Sequence, residues 1–131
     1  MLRVSPDGKE VWVQTAEANT NVVLDASDLS VLATQPTGKQ PVTNAWTRDG
    51  RYSFVTNGQD TFAQIFDART FNEVKRLTIG LGGTNIGFSK DGKTAFIALR
   101  DANAVAVVDM PKLALEGRIA AGKEPQGLIV R

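Results

Sequence analysis

The sequence lacks both cysteine and histidine among its 131 residues. Without cysteine the chain can form no disulfide, no thiolate metal site and no thiol nucleophile. Without histidine it lacks the side chain that most often serves as a general base and as a ligand for zinc or haem iron. These two absences leave the redox compartment open and exclude the commonest catalytic and metal-binding chemistries.

An excess of charge of one sign is also missing. The sequence has 15 lysines and arginines against 14 aspartates and glutamates, a formal net charge of +1, and no run of like charges. This balance does not favour binding to nucleic acid or to an acidic membrane surface. The apolar runs are too short to cross a bilayer, and residues 1–8 lack the apolar segment of a signal peptide. We therefore expect no nucleic-acid partner and no insertion into a membrane.

The most informative positive feature is an internal repeat with a period of 42 residues. Three sets of markers recur at that spacing without an insertion: Ser5–Lys9, Thr47–Arg51 and Ser89–Lys93, each with an Asp-Gly pair; Asp25, Asp67 and Asp109; and Gly38, Gly80 and Gly122. Such regularity in three independent markers is not expected by chance. It divides one domain, residues 1–131, into the units 5–46, 47–88 and 89–130.

Each unit contains four short segments with the alternation and the β-branched and aromatic residues typical of strands. In the first unit these are residues 10–14, 21–25, 30–34 and 42–46. No segment has the spacing of an amphipathic helix. Four strands in a repeat of about 40–45 residues are typical of propeller blades, so we predict an all-β β-propeller fold with three four-stranded antiparallel blades. An open β-sandwich is the alternative, but a sandwich does not need units of identical length.

Several motifs resemble those of the YVTN family of β-propeller repeats. Phe54–Asn57 nearly reproduces the motif for which that family is named, Trp12–Thr15 and Phe96–Leu99 are looser versions of it, and Gly38–Pro41 and Gly122–Gly127 match its inter-blade loop, whereas Gly80–Gly83 lacks the proline. The resemblance implies a periplasmic or extracellular location. It is specific for fold and not for function, because similar propellers serve as surface-layer proteins, exported binding proteins, lactonase-like enzymes and scaffolds for redox cofactors.

Three blades are too few to close a ring, since propellers close with about 4–8 blades and this family usually has about seven. We therefore expect either a piece of a longer protein, in which the remaining blades complete the ring, or closure by association with a second copy. Counted in steps of 42, residues 2–5 and 128–131 hold the same strand position. The two ends would compete for one place in a dimeric ring, which favours the longer protein.

The repeated aspartates are predicted to be structural. They are Asp7, Asp49 and Asp91 before glycines, and Asp25, Asp67 and Asp109 at the ends of strands. In an Asp-Gly turn the carboxylate caps its own backbone, and glycine takes the positive φ that the turn requires. The strand-ending aspartates are expected to accept backbone N–H bonds in the turns that follow. We predict no metal or catalytic role for either set.

Functional residues of a propeller are expected to depart from the repeat, near the central channel or on the face that carries the inter-blade loops. The same face should carry the loops at residues 17–21, 59–63 and 101–103. Polar side chains in these loops can bind a ligand, and the alternative is that they are simply solvated. The predicted binding residues of these loops are Lys39, Asn57, Asp60, Arg100, Asp101, Asn103 and Lys123.

Asn44 is the clearest departure from the repeat, because it occupies the position that Ile86 and Leu128 hold in the other units. A polar side chain on an innermost strand needs either a buried partner or the water of the channel. We therefore predict Thr43, Asn44 and Asn85 as polar groups that line the channel.

Together these observations favour a non-catalytic binding or scaffold module that presents polar loops to a protein or a small polar ligand. The carboxylates occur once per blade rather than in pairs, no nucleophile motif is present, and no loop is acidic enough to favour calcium. We predict no catalytic residue, no metal and no cofactor for these 131 residues. The alternative is a fragment of an enzyme, either a lactonase-like hydrolase or a redox enzyme whose cofactor ligands lie outside this chain.

Overall fold

A computed structural model describes residues 1–131 as strands joined by turns and loops. The strands are β1 (Leu2–Val4), β2 (Glu10–Thr15), β3 (Thr20–Asp25), β4 (Val31–Pro36), β5 (Pro41–Trp46), β6 (Tyr52–Asn57), β7 (Phe62–Asp67), β8 (Glu73–Thr78), β9 (Gly83–Phe88), β10 (Thr94–Leu99), β11 (Ala104–Asp109) and β12 (Ala114–Ala120).

The strands form three separate antiparallel sheets, β1–β4, β5–β8 and β9–β12, in which neighbours along the chain are neighbours in the sheet. Successive sheets meet mainly at their inner strands, β5 against β2 and β9 against β5 and β6, whereas the outermost strands β8 and β12 touch at few positions. The sheets therefore radiate from their first strands as the blades of a propeller do. The predicted all-β fold of three four-stranded antiparallel blades is confirmed.

Each blade begins one strand earlier than the corresponding unit of the sequence repeat. The last strand of the first unit, β5, pairs with β6 in the second blade, with Ala45 opposite Phe54. The last strand of the second unit, β9, pairs in the same way with β10 of the third blade. The innermost strand of the second and third blades is thus contributed by the preceding unit, so each repeat connects two blades.

The Asp-Gly turns are held by the same hydrogen bonds in every blade. In the first blade the Asp7 carboxylate accepts from the Ser5 hydroxyl (2.7 Å) and from the Lys9 backbone N–H (3.1 Å). Gly8 follows in the left-handed region, with a φ of 75°. The turns after β5 and β9 repeat this arrangement. As predicted, these carboxylates satisfy the backbone of their own turns.

The core lies between blades rather than inside one. Between the first and second blades, Trp12 and Val23 pack against Val55 and Phe66, and all four side chains are buried. The Trp12 ring meets the Phe66 ring edge-on at 6.4 Å.

A larger apolar cluster of 13 buried residues lies between the second and third blades. It includes Phe54, Ile65 and Leu77 from the second blade and Ile97 and Val108 from the third. A single four-stranded blade exposes both of its faces, so the burial that stabilises this fold arises only where two blades stack.

The face of the first blade that points away from the second is apolar and uncovered. Leu29 is 64% exposed, although its counterparts 42 and 84 residues later, Phe71 and Leu113, pack against the preceding blade. The Phe71 ring lies 6.0 Å from the Trp12 ring of the first blade. Leu29 therefore occupies the position that contacts a preceding blade in the other two repeats.

The face of the third blade that points away from the second is uncovered in the same way. Ile119 on β12 is 57% exposed, whereas its counterpart Leu77 is 9% exposed in the cluster between the second and third blades. The three blades are thus part of a larger propeller.

Residues 121–131 form no strand, so the strand position expected at 128–131 is not realised as part of a sheet. The segment nevertheless lies along β9. A Cβ added to Gly87 would come within 2.7 Å of Val130 and 3.4 Å of Leu128, and the Thr84 hydroxyl reaches the Gln126 carbonyl oxygen at 3.3 Å. The segment occupies the place of the innermost strand of a next blade, and it forms no strand because no strand lies beside it to pair with.

The stability of the chain should decrease in acid because of the Asp-Gly turns. The hydroxyl at the start of each turn, and then the backbone N–H two residues after the aspartate, hold the pKa values of Asp7, Asp49 and Asp91 below the usual range. Carboxyls with a lowered folded-state pKa stabilise the fold above their unfolded-state pKa and stop doing so as the pH falls through the folded-state pKa. We expect the free energy of unfolding to fall between about pH 5 and about pH 2.

Urea unfolding at a series of pH values measures this effect. The triple variant Asp7→Asn, Asp49→Asn, Asp91→Asn keeps an acceptor and a good turn residue at each site but removes the titration. Its unfolding midpoint should depend less on pH than that of the unmodified chain. An equal pH dependence in both proteins would show that the turns do not cause it.

The exposed Leu29 should promote self-association. Leu29→Asn should lower the apparent mass at high concentration and the binding of a hydrophobic dye, because it removes an apolar side chain from the uncovered face. The substitution should not disturb the turn, since Leu29 has a φ of 62° and asparagine tolerates that region better than leucine.

Leu32→Asn is the matched control for Leu29→Asn. Leu32 is also exposed, but its counterparts Val74 and Glu116 remain exposed in the second and third blades, which each have a preceding blade beside them. Sedimentation velocity should show a change for the first variant only. Equal effects of the two substitutions would contradict the interpretation of Leu29 as a blade contact.

Candidate functional site

The blades present two different faces at the ends of their strands. The loop face carries residues 16–19, 37–40, 58–61, 79–82, 100–103 and 121–125. The turn face carries the Asp-Gly turns, residues 5–9, 47–51 and 89–93, together with residues 26–30, 68–72 and 110–113.

On the loop face, the inter-blade loop at residues 37–40 is clamped between the first two blades. The Asn19 side chain of the first blade accepts from the Gln40 backbone N–H at 2.9 Å. From the second blade, the Gly58 N–H donates to the Gln40 carbonyl oxygen at 2.7 Å, and the Asp60 carboxylate accepts from the Lys39 N–H. The loop is therefore fixed on both sides by hydrogen bonds to its backbone.

The later inter-blade loops are held in closely related ways. The Asn103 side chain accepts from the Glu124 N–H at 2.9 Å, 84 residues after the equivalent pair in the first blade. In the middle loop the Arg100 N–H donates to the Gly82 carbonyl oxygen at 2.8 Å, and Thr61 stands where the other blades have asparagine. Gly82 has a φ of 81°, the same left-handed conformation as its counterpart Glu124. The loop face is thus a rigid polar surface that runs across all three blades.

The charged residues predicted on this surface lie at its exposed rim. Arg100 and Asp101 form an ion pair at 2.8 Å, and the Arg100 guanidinium lowers the pKa of Asp101. Lys39, Asp101 and Lys123 are exposed, and Asp60 is half-buried beside Lys39. Mixed charges on a fixed backbone can orient a polar ligand by ion pairs and hydrogen bonds.

Asn57 lies beneath this surface and is fully buried. Its amide donates to the Phe62 carbonyl oxygen and to Gln64 Oε1, each at 3.2 Å. Its Oδ1 atom is buried and has no hydrogen-bond partner. Asn57 therefore supports the loop at residues 58–61 from below and does not itself reach the surface.

The structure places the predicted channel residues in two different environments. Thr43 and Asn44 are buried, at 2% and 0% exposure, whereas Asn85 is half-buried and accepts from the backbone N–H of Ile86. Asn44 has found a buried partner, which is the first of the two outcomes that its position allowed. Of the three, Asn85 is the one that reaches solvent.

Asn44 belongs to a polar network in the interface between the first two blades. Asn44 Oδ1 accepts from Gln14 Nε2 at 3.1 Å, and Asn44 Nδ2 donates to the Ser53 hydroxyl at 3.2 Å. Gln14 also donates to Asn21 Oδ1 at 2.8 Å, and Asn21 donates to Gln35. This interface is held by buried amides as well as by apolar packing, unlike the interface between the second and third blades.

A cleft that was not predicted from the sequence lies on the turn face, between the first two blades. Its volume is about 990 Å³. It is lined by Ser5, Pro6, Asp7, Lys9, Glu10, Trp46, Arg48, Asp49, Gly50, Arg51, Asp67, Ala68 and Arg69. Pro6 was the available signal, because position 6 of the repeat holds Arg48 and Lys90 in the other units.

No group of three or more aspartates and glutamates is placed to hold a metal ion. No helix is long and apolar enough to cross a membrane.

Comparison with known proteins supports the fold through similar solved structures rather than through sequence matches. No protein-family model and no curated protein sequence matches the chain. The structure is similar to hydrazine synthase of Kuenenia stuttgartiensis, with a TM-score of 0.86 and 26% identity over 93% of this chain and 35% of that one. It is also similar to a Bacteroides fragilis protein named "putative 6-phosphogluconolactonase", with a TM-score of 0.80 and 19% identity over 95% of this chain and 39% of that one.

The WD40 repeats of RRP9 are similar as well, with a TM-score of 0.84 and 13% identity over 94% of this chain and 38% of that one. The chain thus spans little more than a third of the length of the solved structures it matches. Proteins with such different names share this architecture, so the comparison shows a partial β-propeller and leaves the activity to be argued from the chain itself.

The buried network makes a testable prediction about Asn44. Asn44→Leu should lower the free energy of unfolding by about 1–3 kcal/mol, because it leaves Gln14 and Ser53 with unpaired buried polar atoms. An aliphatic side chain fits this strand position, as Ile86 shows. Chemical denaturation should show a much smaller effect for Asn85→Leu, since Asn85 bonds only to its neighbour. Similar losses in the two variants would argue against the network.

Proposed function

We propose that this chain is part of a non-catalytic β-propeller of the YVTN type, in a periplasmic or extracellular protein, whose loop face binds a protein or a small polar ligand. The observation that carries the proposal is the clamping of the inter-blade loops. The loop at residues 37–40 is fixed from both sides, by Asn19 and by the Gly58 backbone N–H, which both bond to Gln40, and the loop at residues 121–125 is held by the bond from Glu124 to Asn103. A surface that is already ordered loses little conformational entropy when it binds.

The side chains on these fixed backbones differ from blade to blade, as a specific binding surface requires. At one position of the inter-blade loops, Lys39 and Lys123 flank Leu81, and all three are exposed. Arg100 and Asp101 add a charged pair at the rim of the third blade. Lys39, Asp60, Arg100, Asp101, Asn103 and Lys123 are the residues proposed to contact the ligand.

The uncovered apolar faces around Leu29 and Ile119 require a partner of a different kind. We propose that they are covered by further blades, which belong either to the rest of a longer protein or to a second copy. Because these faces lie at the two ends of the stack of three blades, their coverage leaves the loop face free for the ligand.

A binding screen with two matched variants tests the loop face. The immobilised chain is exposed to panels of soluble oligosaccharides and short peptides in surface plasmon resonance. The triple variant Lys39→Ala, Arg100→Ala, Lys123→Ala removes three charges from the loop face. It should lower the affinity for any ligand at least tenfold. The matched control is the triple variant Lys75→Ala, Lys90→Ala, Lys93→Ala, which removes the same charge outside the loop face. It should change the affinity less than twofold. Equal losses in both variants, or no ligand in either panel, would count against the proposal.

The second candidate function is that of a part of an enzyme, and the names of two similar structures favour it. One is a hydrazine synthase and the other carries the name of a phosphogluconolactonase. This function predicts turnover of a lactone such as 6-phosphogluconolactone, or a chromophore or stoichiometric metal, in the purified protein that includes the remaining blades. A lactone hydrolysis assay, an absorbance scan and metal analysis distinguish it from simple binding.

A further inference from the structure

The junction between the second and third blades shows how the turn face is closed. Arg48 reaches across from the second blade and donates to the Phe88 carbonyl oxygen at 3.2 Å and to the Ser89 carbonyl oxygen at 3.4 Å. Its aliphatic stem covers Gly92, since a Cβ added there would lie 3.4 Å from Arg48 Cβ. One arginine side chain thus fills this junction and binds its carbonyl groups.

The junction between the first and second blades lacks that side chain. The position that holds Arg48 holds Pro6 one repeat earlier, and proline has neither the length nor a donor. Gly50, the counterpart of Gly92, has nothing within 4 Å of an added Cβ. The backbones of the two junctions correspond, with Trp46 and Thr47 in the places of Phe88 and Ser89. The cleft of about 990 Å³ lies where this arginine is missing.

The charge of the cleft does not oppose a cation. Four carboxylates and four cationic side chains line it, so its net charge is zero. One of the cations, Arg48, is held at the third blade by its hydrogen bonds, and the others are Lys9, Arg51 and Arg69. The indole of Trp46, in the place of Phe88, adds an aromatic wall of the type that attracts guanidinium groups.

We propose that this cleft binds the guanidinium group of an arginine side chain from a peptide segment of a partner protein. The bound arginine takes the place that Arg48 occupies at the next junction, with its guanidinium at the Trp46 and Thr47 carbonyl groups and its stem over Gly50. The intramolecular arginine is the template for the ligand. The site lies on the face opposite to the loop face and does not depend on the function proposed for that face.

Titration of the isotope-labelled protein with the peptide acetyl-Gly-Arg-Gly-amide tests the proposal by nuclear magnetic resonance. The indole N–H of Trp46 and the amide of Gly50 should shift, whereas the amide of Gly92 should not, because Arg48 already covers it. The sequence has two tryptophans, so Trp46→Phe assigns the indole signal. The matching citrulline peptide has nearly the same shape without the charge and should bind at least tenfold more weakly.

Two outcomes of this titration would overturn the proposal. Equal affinity for the citrulline peptide would show that the guanidinium charge is not recognised. Stronger binding of acetyl-Gly-Glu-Gly-amide would show that Lys9, Arg51 and Arg69 make the cleft a site for anions instead.

Substitutions at Pro6 provide an independent test with a matched control. Pro6→Arg places an arginine where Arg48 stands in the next blade, so it should shift the Gly50 amide without ligand and weaken the arginine peptide at least tenfold. Pro6→Ala leaves the cleft open and should change the affinity less than twofold. Both variants should fold, since the other two blades carry non-proline residues at this position. Unchanged peptide affinity in Pro6→Arg would refute the assignment of the site.

Discussion

The stacking of one blade on the next is the interaction on which the rest of the structure depends. A four-stranded sheet of this size cannot bury either of its faces alone, and both apolar clusters of the chain lie between blades. The chain enforces this stacking covalently, because β5 and β9 are each contributed by the sequence unit before the blade they join. A loop clamp such as Asn19 to Gln40 then fixes the angle at which the chain passes between blades.

The two junctions are chemically different, which gives the blades a fixed order. Buried amides around Asn44 join the first and second blades, and aliphatic and aromatic side chains around Ile97 join the second and third. A buried amide is costly to desolvate without its partner, so an apolar blade cannot replace the second blade against Gln14 without loss of stability. By contrast, the uncovered faces at Leu29 and Ile119 are apolar and match a junction of the second kind.

Features that repeat every 42 residues could be predicted from the sequence, and features that arise between two blades could not. The strand predicted at residues 10–14 is found at Glu10–Thr15, because strand alternation and the Asp-Gly turn are local properties. The strand expected at residues 128–131 is not formed, since a strand needs a neighbouring strand to bond with and sequence position alone does not supply one. Whether Asn44 would face the channel or a partner depended on Gln14, thirty residues earlier and in another blade. The cleft requires the relative placement of two turns, so Pro6 gave only an indirect signal.

The same repeat produces the two surfaces proposed to bind ligands by opposite means. On the loop face the backbone conformation recurs and the side chains vary, so that Lys39, Leu81 and Lys123 are presented from equivalent positions. On the turn face the backbone also recurs, but one side chain is removed, and the space that Arg48 fills at one junction is open beside Pro6 at the other. A repeated scaffold gains a site when a side chain is added to the surface or taken from a junction. The removed side chain is the more informative change, because the intact junction shows which chemical group fits the space.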